Sequence, residues 1–290
     1  MILESYILVF LGLFIGISAY IILYLGKGIQ KYAIDGSRIY KLIKKKTYRI
    51  WIFGTLLTTV YFFLEWVSLI FAPINIIAPL GGIGLLFMLP FSYFVLHEEV
   101  YNIQIIGSLL IILGTALITI FNPNSGVIYL EDFNLTLLLA SSIPIIIVEM
   151  IFILISKLSG YIGAGLIFGL TAGTFNALQT VSKRISAIPE PLVSSVFICI
   201  TFIMAIMALL FTLYGFRKAA ANIVVPCDIS ADISTAVLIS LFAVNEKIEI
   251  IQIFGIIILI FGVVFVTGFR KRIKRAPYRK ASKTYFKFLK

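Results

Sequence analysis

Four carboxylates fall inside long apolar runs of this chain: Glu65, Glu149, Asp228 and Asp232. A carboxylate at the centre of a bilayer costs at least ~2.5–3.5 kcal/mol on insertion scales. Each therefore calls for a proton, water or a cation. Asp228 and Asp232 are four residues apart, so on a helix their side chains point within about 40° of each other, one turn apart. Two like charges so placed repel, and one shared proton or one divalent cation relieves the repulsion. Pro226 precedes them; it removes a backbone hydrogen bond and frees a carbonyl one turn back, near Asn222. Carboxylates and a free carbonyl make an all-oxygen environment of the kind that Mg²⁺ prefers. The expected metal ligands are thus Asp228 and Asp232, although either could instead hydrogen-bond a neighbouring helix.

The other candidates for ion or substrate contact are Glu149, Glu65, Asn222 and Asn75. Glu149 lies near the centre of its run. Glu65 lies toward one end of its run beside Trp66, where a snorkelling or capping acid is the alternative. Asn75 and Asn222 each lie just before a proline, where capping a helix start serves equally well. No Lys or Arg lies within the runs except at their edges. Cys227 could offer a thiolate to a softer metal, but a buried cysteine is more often packing. His97, the sole histidine, sits beside Glu98 and Glu99 and reads as an interface residue. With one histidine, no H-E-x-x-H and no Ser–His pair, the chain is not expected to be an enzyme. No cofactor is called for, and Mg²⁺ would be cargo.

The elements that position these groups follow from composition. Of 290 residues 61% are hydrophobic and 13% charged, with mean hydropathy +1.09. A water-soluble enzyme could not hide that much apolar surface. Nine runs of bilayer-spanning size can be drawn, at about 5–26, 50–71, 74–96, 101–121, 135–157, 159–179, 192–214, 219–243 and 249–269. They exceed the ~10-residue alternating segments of an outer-membrane barrel, so the expected class is an all-α polytopic membrane protein. Ala72-Pro73, Asn122-Pro123-Asn124-Ser125-Gly126 and Pro189-Glu190-Pro191 punctuate the joints. Cys199 and Cys227 both lie in apolar runs, which argues against a disulfide framework. No cleavable signal is visible.

The net charge of +11 is explained by where the cations fall. Of 24 Lys and Arg, all but Lys183, Arg184 and Lys247 lie on one side of this topology. Most are in the segment 27–49, read as a basic loop, and in the tail 270–290. The positive-inside rule then puts the C-terminus in the cytoplasm and the N-terminus outside, in the cell membrane, with an odd number of spans. The tail, mixing cations with Tyr278, Tyr285, Phe286 and Phe288, is expected to lie on anionic lipid and not on nucleic acid. Gly12 and Gly16, and Gly165, Gly169 and Gly173, form small-xxx-small stripes that pack helices, within one chain or across a homodimer.

The chain also repeats. Residues 75–79 read N-I-I-A-P and 222–226 read N-I-V-V-P. Glu98 then matches Glu246, Gln104-Ile105-Ile106-Gly107 matches Gln252-Ile253-Phe254-Gly255, and Gly114 matches Gly262. The matched runs are the third and the eighth. Five spans apart, they cross the bilayer in opposite directions. Residues 1–121 and 135–269 would form two inverted halves of four plus five spans, joined by an external linker at 122–134. That is the architecture of many secondary transporters, with the site near the midplane between the halves.

The stretch Phe71-Ala72-Pro73-Ile74-Asn75-Ile76-Ile77-Ala78-Pro79-Leu80-Gly81, then His97-Glu98-Glu99, then Gly107 and Gly114, resembles the drug/metabolite transporter superfamily, and within it the NIPA-type magnesium transporters. The resemblance implies a transporter fold and nine spans, with segment 27–49 where one helix of a five-plus-five plan is lost. The expected function is alternating-access transport of a divalent cation, Mg²⁺ foremost. The alternative is a proton-coupled exporter of a small metabolite or amino acid. Convergence of the four acids would favour a metal, and an aromatic-lined cavity with scattered acids an organic solute.

Overall fold

A chain surrounded by lipid satisfies its backbone by forming helices, since no water competes for the N–H and C=O groups. The computed structural model describes residues 2–39, 44–72, 74–121, 130–245 and 248–268, and all regular structure among them is helical. The helices are α1 (Ile2–Ile39), α2 (Lys44–Phe71), α3 (Ile74–Ile77), α4 (Gly84–Phe94), α5 (Asn102–Ile120), α6 (Leu135–Leu158), α7 (Ala164–Ile185), α8 (Pro191–Lys218), α9 (Ala221–Ala243) and α10 (Ile250–Gly268). Five of them, α1, α2, α6, α8 and α9, are long and apolar enough to cross a membrane. The protein is a helical integral membrane protein. Each apolar run of the sequence becomes a helix, the third of them broken into α3, a 3₁₀ stretch at Ala78–Ile83, and α4.

Glycine explains why the third run breaks where it does. A Cβ on Gly84 would lie 1.8 Å from the Tyr24 ring of α1, and one on Gly82 would lie 2.2 Å from Oγ1 of Thr115 on α5. Only a bare backbone lets this segment wedge between two helices, and the same glycines weaken it as a continuous helix.

Two boundaries differ from expectation. The described part of the segment 27–49 is helical: α1 runs on to Ile39 and α2 starts at Lys44, so Lys27 and Lys31 lie in a helix. The helix of the sixth run extends to Ile185 and takes in Lys183 and Arg184. The basic tail 270–290 and most of the linker, 122–129, lie outside the described residues, as do Glu246 and Lys247.

Three helix pairs form the frame. α1 packs against α2, with Gly12 beside Ser68 and Ala72 and Gly26 beside Gly54, so the two are antiparallel. α7 packs parallel to α9: Gly165 meets Ile223, Gly169 meets Val224 and Cys227, and Gly173 meets the backbone of Asp228. Both glycine stripes are therefore used inside the chain. α5 packs antiparallel to α10. A Cβ on Gly107 would sit 2.6 Å from the Gly262 carbonyl oxygen and one on Gly262 2.6 Å from that of Gly107; Gly114 and Gly255 approach each other in the same mutual way. α9 lies at the centre, 89% buried along its apolar window, whereas only 11% of the α6 window is buried.

Candidate functional site

The centre of the bundle is a ladder of charged side chains on α1, α2, α7 and α9. Tyr20, Tyr24, Lys27 and Lys31 follow one another at three- and four-residue steps, which keeps them on one face of α1. The Lys27 ammonium donates to Oδ2 of Asp228 on α9, and both residues are buried. Nδ2 of Asn176 on α7 donates to the other oxygen of Asp228 at 2.8 Å. Toward the other end of the bundle, Glu65 of α2 is fully buried. Its Oε2 accepts from the Lys183 ammonium at 2.5 Å and from Gln179 at 3.4 Å, and its Oε1 accepts from the Tyr20 and Thr180 hydroxyls at 3.0 Å each. Lys183 also donates to the Phe62 carbonyl at 2.9 Å and lies 4.2 Å over the Phe62 ring.

Asp232 stands one turn from Asp228 on α9. It is 3% exposed, and its Oδ1 has no hydrogen-bond partner. It lies within electrostatic reach of Glu65, Asp228, Lys27 and Lys183. Each of the two pairs is internally compensated, which leaves Asp232 as the member without an ion pair among the described residues. Buried ions need such pairing, since desolvation costs several kcal/mol per ion.

A cavity of about 220 Å³ opens beside this ladder between α1, α2, α7 and α8. Lys27, Gln30, Thr55, Thr58, Asn176, Gln179 and Thr212 give it polar surface, and Tyr61, Phe62 and Phe202 give it aromatic surface. Gln30 donates to Thr55 Oγ1 at 3.1 Å, and its own buried Oε1 has no partner. The volume is below the ~300–1,000 Å³ of drug-sized ligand pockets, which fits a small solute. Its lining can both donate and accept hydrogen bonds.

At the Lys31 end of the bundle a second polar group ties four elements. The Lys31 ammonium donates to Asp35 at 3.0 Å and to the carbonyls of Phe216 and Ala219 at 3.0 and 3.1 Å, and lies 3.9 Å from Glu98. Glu98, after α4, accepts from the N–H groups of Ala221 and Asn222 at 2.8 and 3.1 Å, so a carboxylate caps the positive end of α9. Burial pushes the Glu98 pKa up from its ordinary value; Lys31 and the two N–H donors pull against that, and the net direction is upward. Asn222 donates to the Glu99 carbonyl at 2.8 Å and to Gln104 at 3.3 Å. It belongs to this knot and not to the cavity. The side chain of Asn75 lies outside the described residues.

The structure thus gathers Glu65, Asp228 and Asp232 and leaves Asn222 and Glu149 apart. Glu149 faces α7 from the peripheral α6, where it accepts from Thr174 at 2.6 Å. The expectation that no base lies among these acids is overturned: Lys27, Lys31, Lys183 and Arg184 are each 5% exposed or less. The hydropathy of a run falls at its first lysine, but the helix does not end there. Glu65 likewise neither snorkels nor caps. Among the described residues no group of three or more His, Cys, Asp or Glu is placed to hold a metal. Cys227 is buried against Gly169, as packing requires. Sequence reasoning missed Lys27, Lys183, Asn176, Gln179 and Gln30. The missed signal was the spacing Asn176, Thr180 and Lys183, a polar stripe at four- and three-residue steps in a segment too polar to face lipid.

Compared with known proteins, the chain matches no family model, and neither a curated protein nor a solved structure is significantly similar to it.

Proposed function

We propose that this protein is a carrier of the drug/metabolite transporter type that moves a small polar organic solute in exchange with a proton bound at Asp232. The observation that carries the reading is the unpartnered oxygen of Asp232 between two satisfied ion pairs, one of which presents its lysine, Lys27, to a small cavity of mixed polar and aromatic lining. A proton on Asp232 or Asp228 changes which carboxylate Lys27 must balance. A solute carboxylate could then take the ammonium while solute donors take Gln30 Oε1. Small amino acids have both kinds of group.

An inverted repeat of four plus five spans is the scaffold we propose. It is supported by contacts that recur at a spacing of 148 residues. Gln104 donates to the Val266 carbonyl at 3.4 Å, and Gln252 to that of Ile118 at 2.9 Å. Tyr101 N–H donates to the Gln104 side chain at 3.1 Å, and Glu249 N–H to that of Gln252 at 2.9 Å. His97 and Asn245 share a positive φ, 53° and 55°. Such exchanged pairs are what a two-fold relation produces. On this plan α1 and α2 correspond to α7 and α8, so α6 is the helix without a counterpart among the described residues, and no helix of the plan is missing within 27–49. An N-terminus outside and a C-terminus in the cytoplasm of the cell membrane complete the reading, with Lys31 and Glu98 toward the cytoplasm. Lys27, Lys31, Lys183 and Arg184 leave the joints in equal number from both sides, so the charge asymmetry persists.

The magnesium expectation drew its support from carboxylates without bases. Lys27 and Lys183 supply that counter-charge, so we place the solute–proton carrier first. The test is a liposome assay. Purified protein should drive accumulation of a small neutral amino acid along an imposed pH gradient, and Asp232→Asn should abolish the response to the gradient. Mg²⁺ flux without amino-acid flux, lost in Asp228→Asn, would restore the metal reading; neither flux would remove both.

A further inference from the structure

Glu149 is the one intramembrane acid that the central ladder does not absorb. It sits at the middle of α6, which presents most of its surface outward. Its Oε1 accepts from the Thr174 hydroxyl at 2.6 Å, and its Oε2 is buried without a partner. Thr174 and Asn176 point about 200° apart around α7 at 100° per residue. Glu149 therefore lies behind α7, on the far side from Asp228 and Glu65. α6 packs mainly against α7 and α9. The charged residues those two helices carry are occupied elsewhere: Lys183 by Glu65, Arg184 by the Leu69 carbonyl, and Asp228 by Lys27, while Asp232 reaches toward the same ladder. No cation among the described residues bonds Glu149. A single hydroxyl is too little to hold a bare carboxylate in apolar surroundings.

From this we infer that Glu149 is a second proton-binding site, a neutral carboxylic acid at the α6–α7 seam that is reached from the lipid and is separate from the central site. Such an acid has a specific ligand chemistry. It reacts with lipophilic carbodiimides, whereas an ionised or lysine-paired carboxylate does not. The acid proton moves to one carbodiimide nitrogen while the carboxyl oxygen bonds the central carbon, giving an O-acylisourea. Migration of the acyl group to nitrogen then fixes a stable N-acylurea, with nothing leaving and no electrons exchanged.

The experiment uses the full chain in phosphatidylcholine liposomes treated with N,N′-dicyclohexylcarbodiimide, followed by mass mapping of the membrane peptides. The adduct is expected on Glu149 and should diminish as the buffer is made alkaline. It should be lost in Glu149→Gln, a near-isosteric change that keeps a partner for Thr174. A water-soluble carbodiimide is expected to label the exposed Glu99 and Glu131 but not Glu149. An unlabelled Glu149 in the wild-type chain overturns the inference without any variant. So does labelling confined to Asp228, Asp232 or Glu65, or labelling of Glu149 by the water-soluble reagent alone.

Discussion

Between α5 and α10 no charge intervenes: two glycines on each helix bring the backbones together, and Gln104 and Gln252 each reach a carbonyl of the partner helix. Between α1, α2, α7 and α9 the helices are joined through Lys27–Asp228 and Glu65–Lys183 instead. The first arrangement has one low-energy geometry, because close-packed backbones tolerate little displacement. The second is made of long side chains that can change partners while the helices stay in place. A carrier of the proposed kind would need both, a fixed frame and a centre whose charge pairing can be rearranged, and this molecule holds the two arrangements apart in space.

The sharpest way to break that contrast is to remove one member of a central pair. Lys183→Ala leaves Glu65 buried and unpaired, and should lower stability by ~3–5 kcal/mol, read as the thermal midpoint of the purified protein in detergent. The double change Glu65→Leu with Lys183→Met should recover most of that loss. If Lys183→Ala is no worse than the double change, Lys183 does not balance Glu65.

The frame should respond to volume. Gly114→Ala puts a methyl group 2.5 Å from the Gly255 carbonyl oxygen, and overpacking of this kind costs ~1–3 kcal/mol. A midpoint equal to wild type would mean that α5 and α10 are not in this close contact. Smaller again, Gln104→Leu and Gln252→Leu should each cost ~0.6 kcal/mol, the average for polar contacts between membrane helices. Matched losses sharpen the pseudo-symmetric reading, and a loss at only one position breaks it.

The smallest effect concerns the knot at Glu98. Its folded pKa is above the ordinary 4.5, so the native state binds the proton more tightly than the unfolded chain does. Between those two pKa values stability must fall as pH rises. The thermal midpoint of the wild type should decline across that window, and Glu98→Gln should flatten the decline. An unchanged slope in the variant would assign the effect to another group.

Particular residues show where sequence reading succeeded and where it stopped. Each run of apolar residues became a helix, because lipid leaves the backbone no other partner. Gly107, Gly114, Gly255 and Gly262, matched first as letters, proved to be the contact points of α5 and α10. Asn134, which the sequence reading did not single out as a cap, caps α6 by accepting from Leu137 N–H at 3.1 Å. Lys27 and Lys183 were misplaced because hydropathy marks where lipid-compatible composition ends, not where a helix ends. A buried lysine and a loop lysine look alike in a string.

Local order was thus written in the chain itself: which segments are helical and which acids lie too deep to be solvated. Partnership was not. Lys27 meets a residue 201 positions away and Lys183 one 118 positions away. Such distances close only when four helices pack together. Attraction between two charges acts over a few ångströms of low-dielectric space, and those ångströms exist only in the assembled bundle.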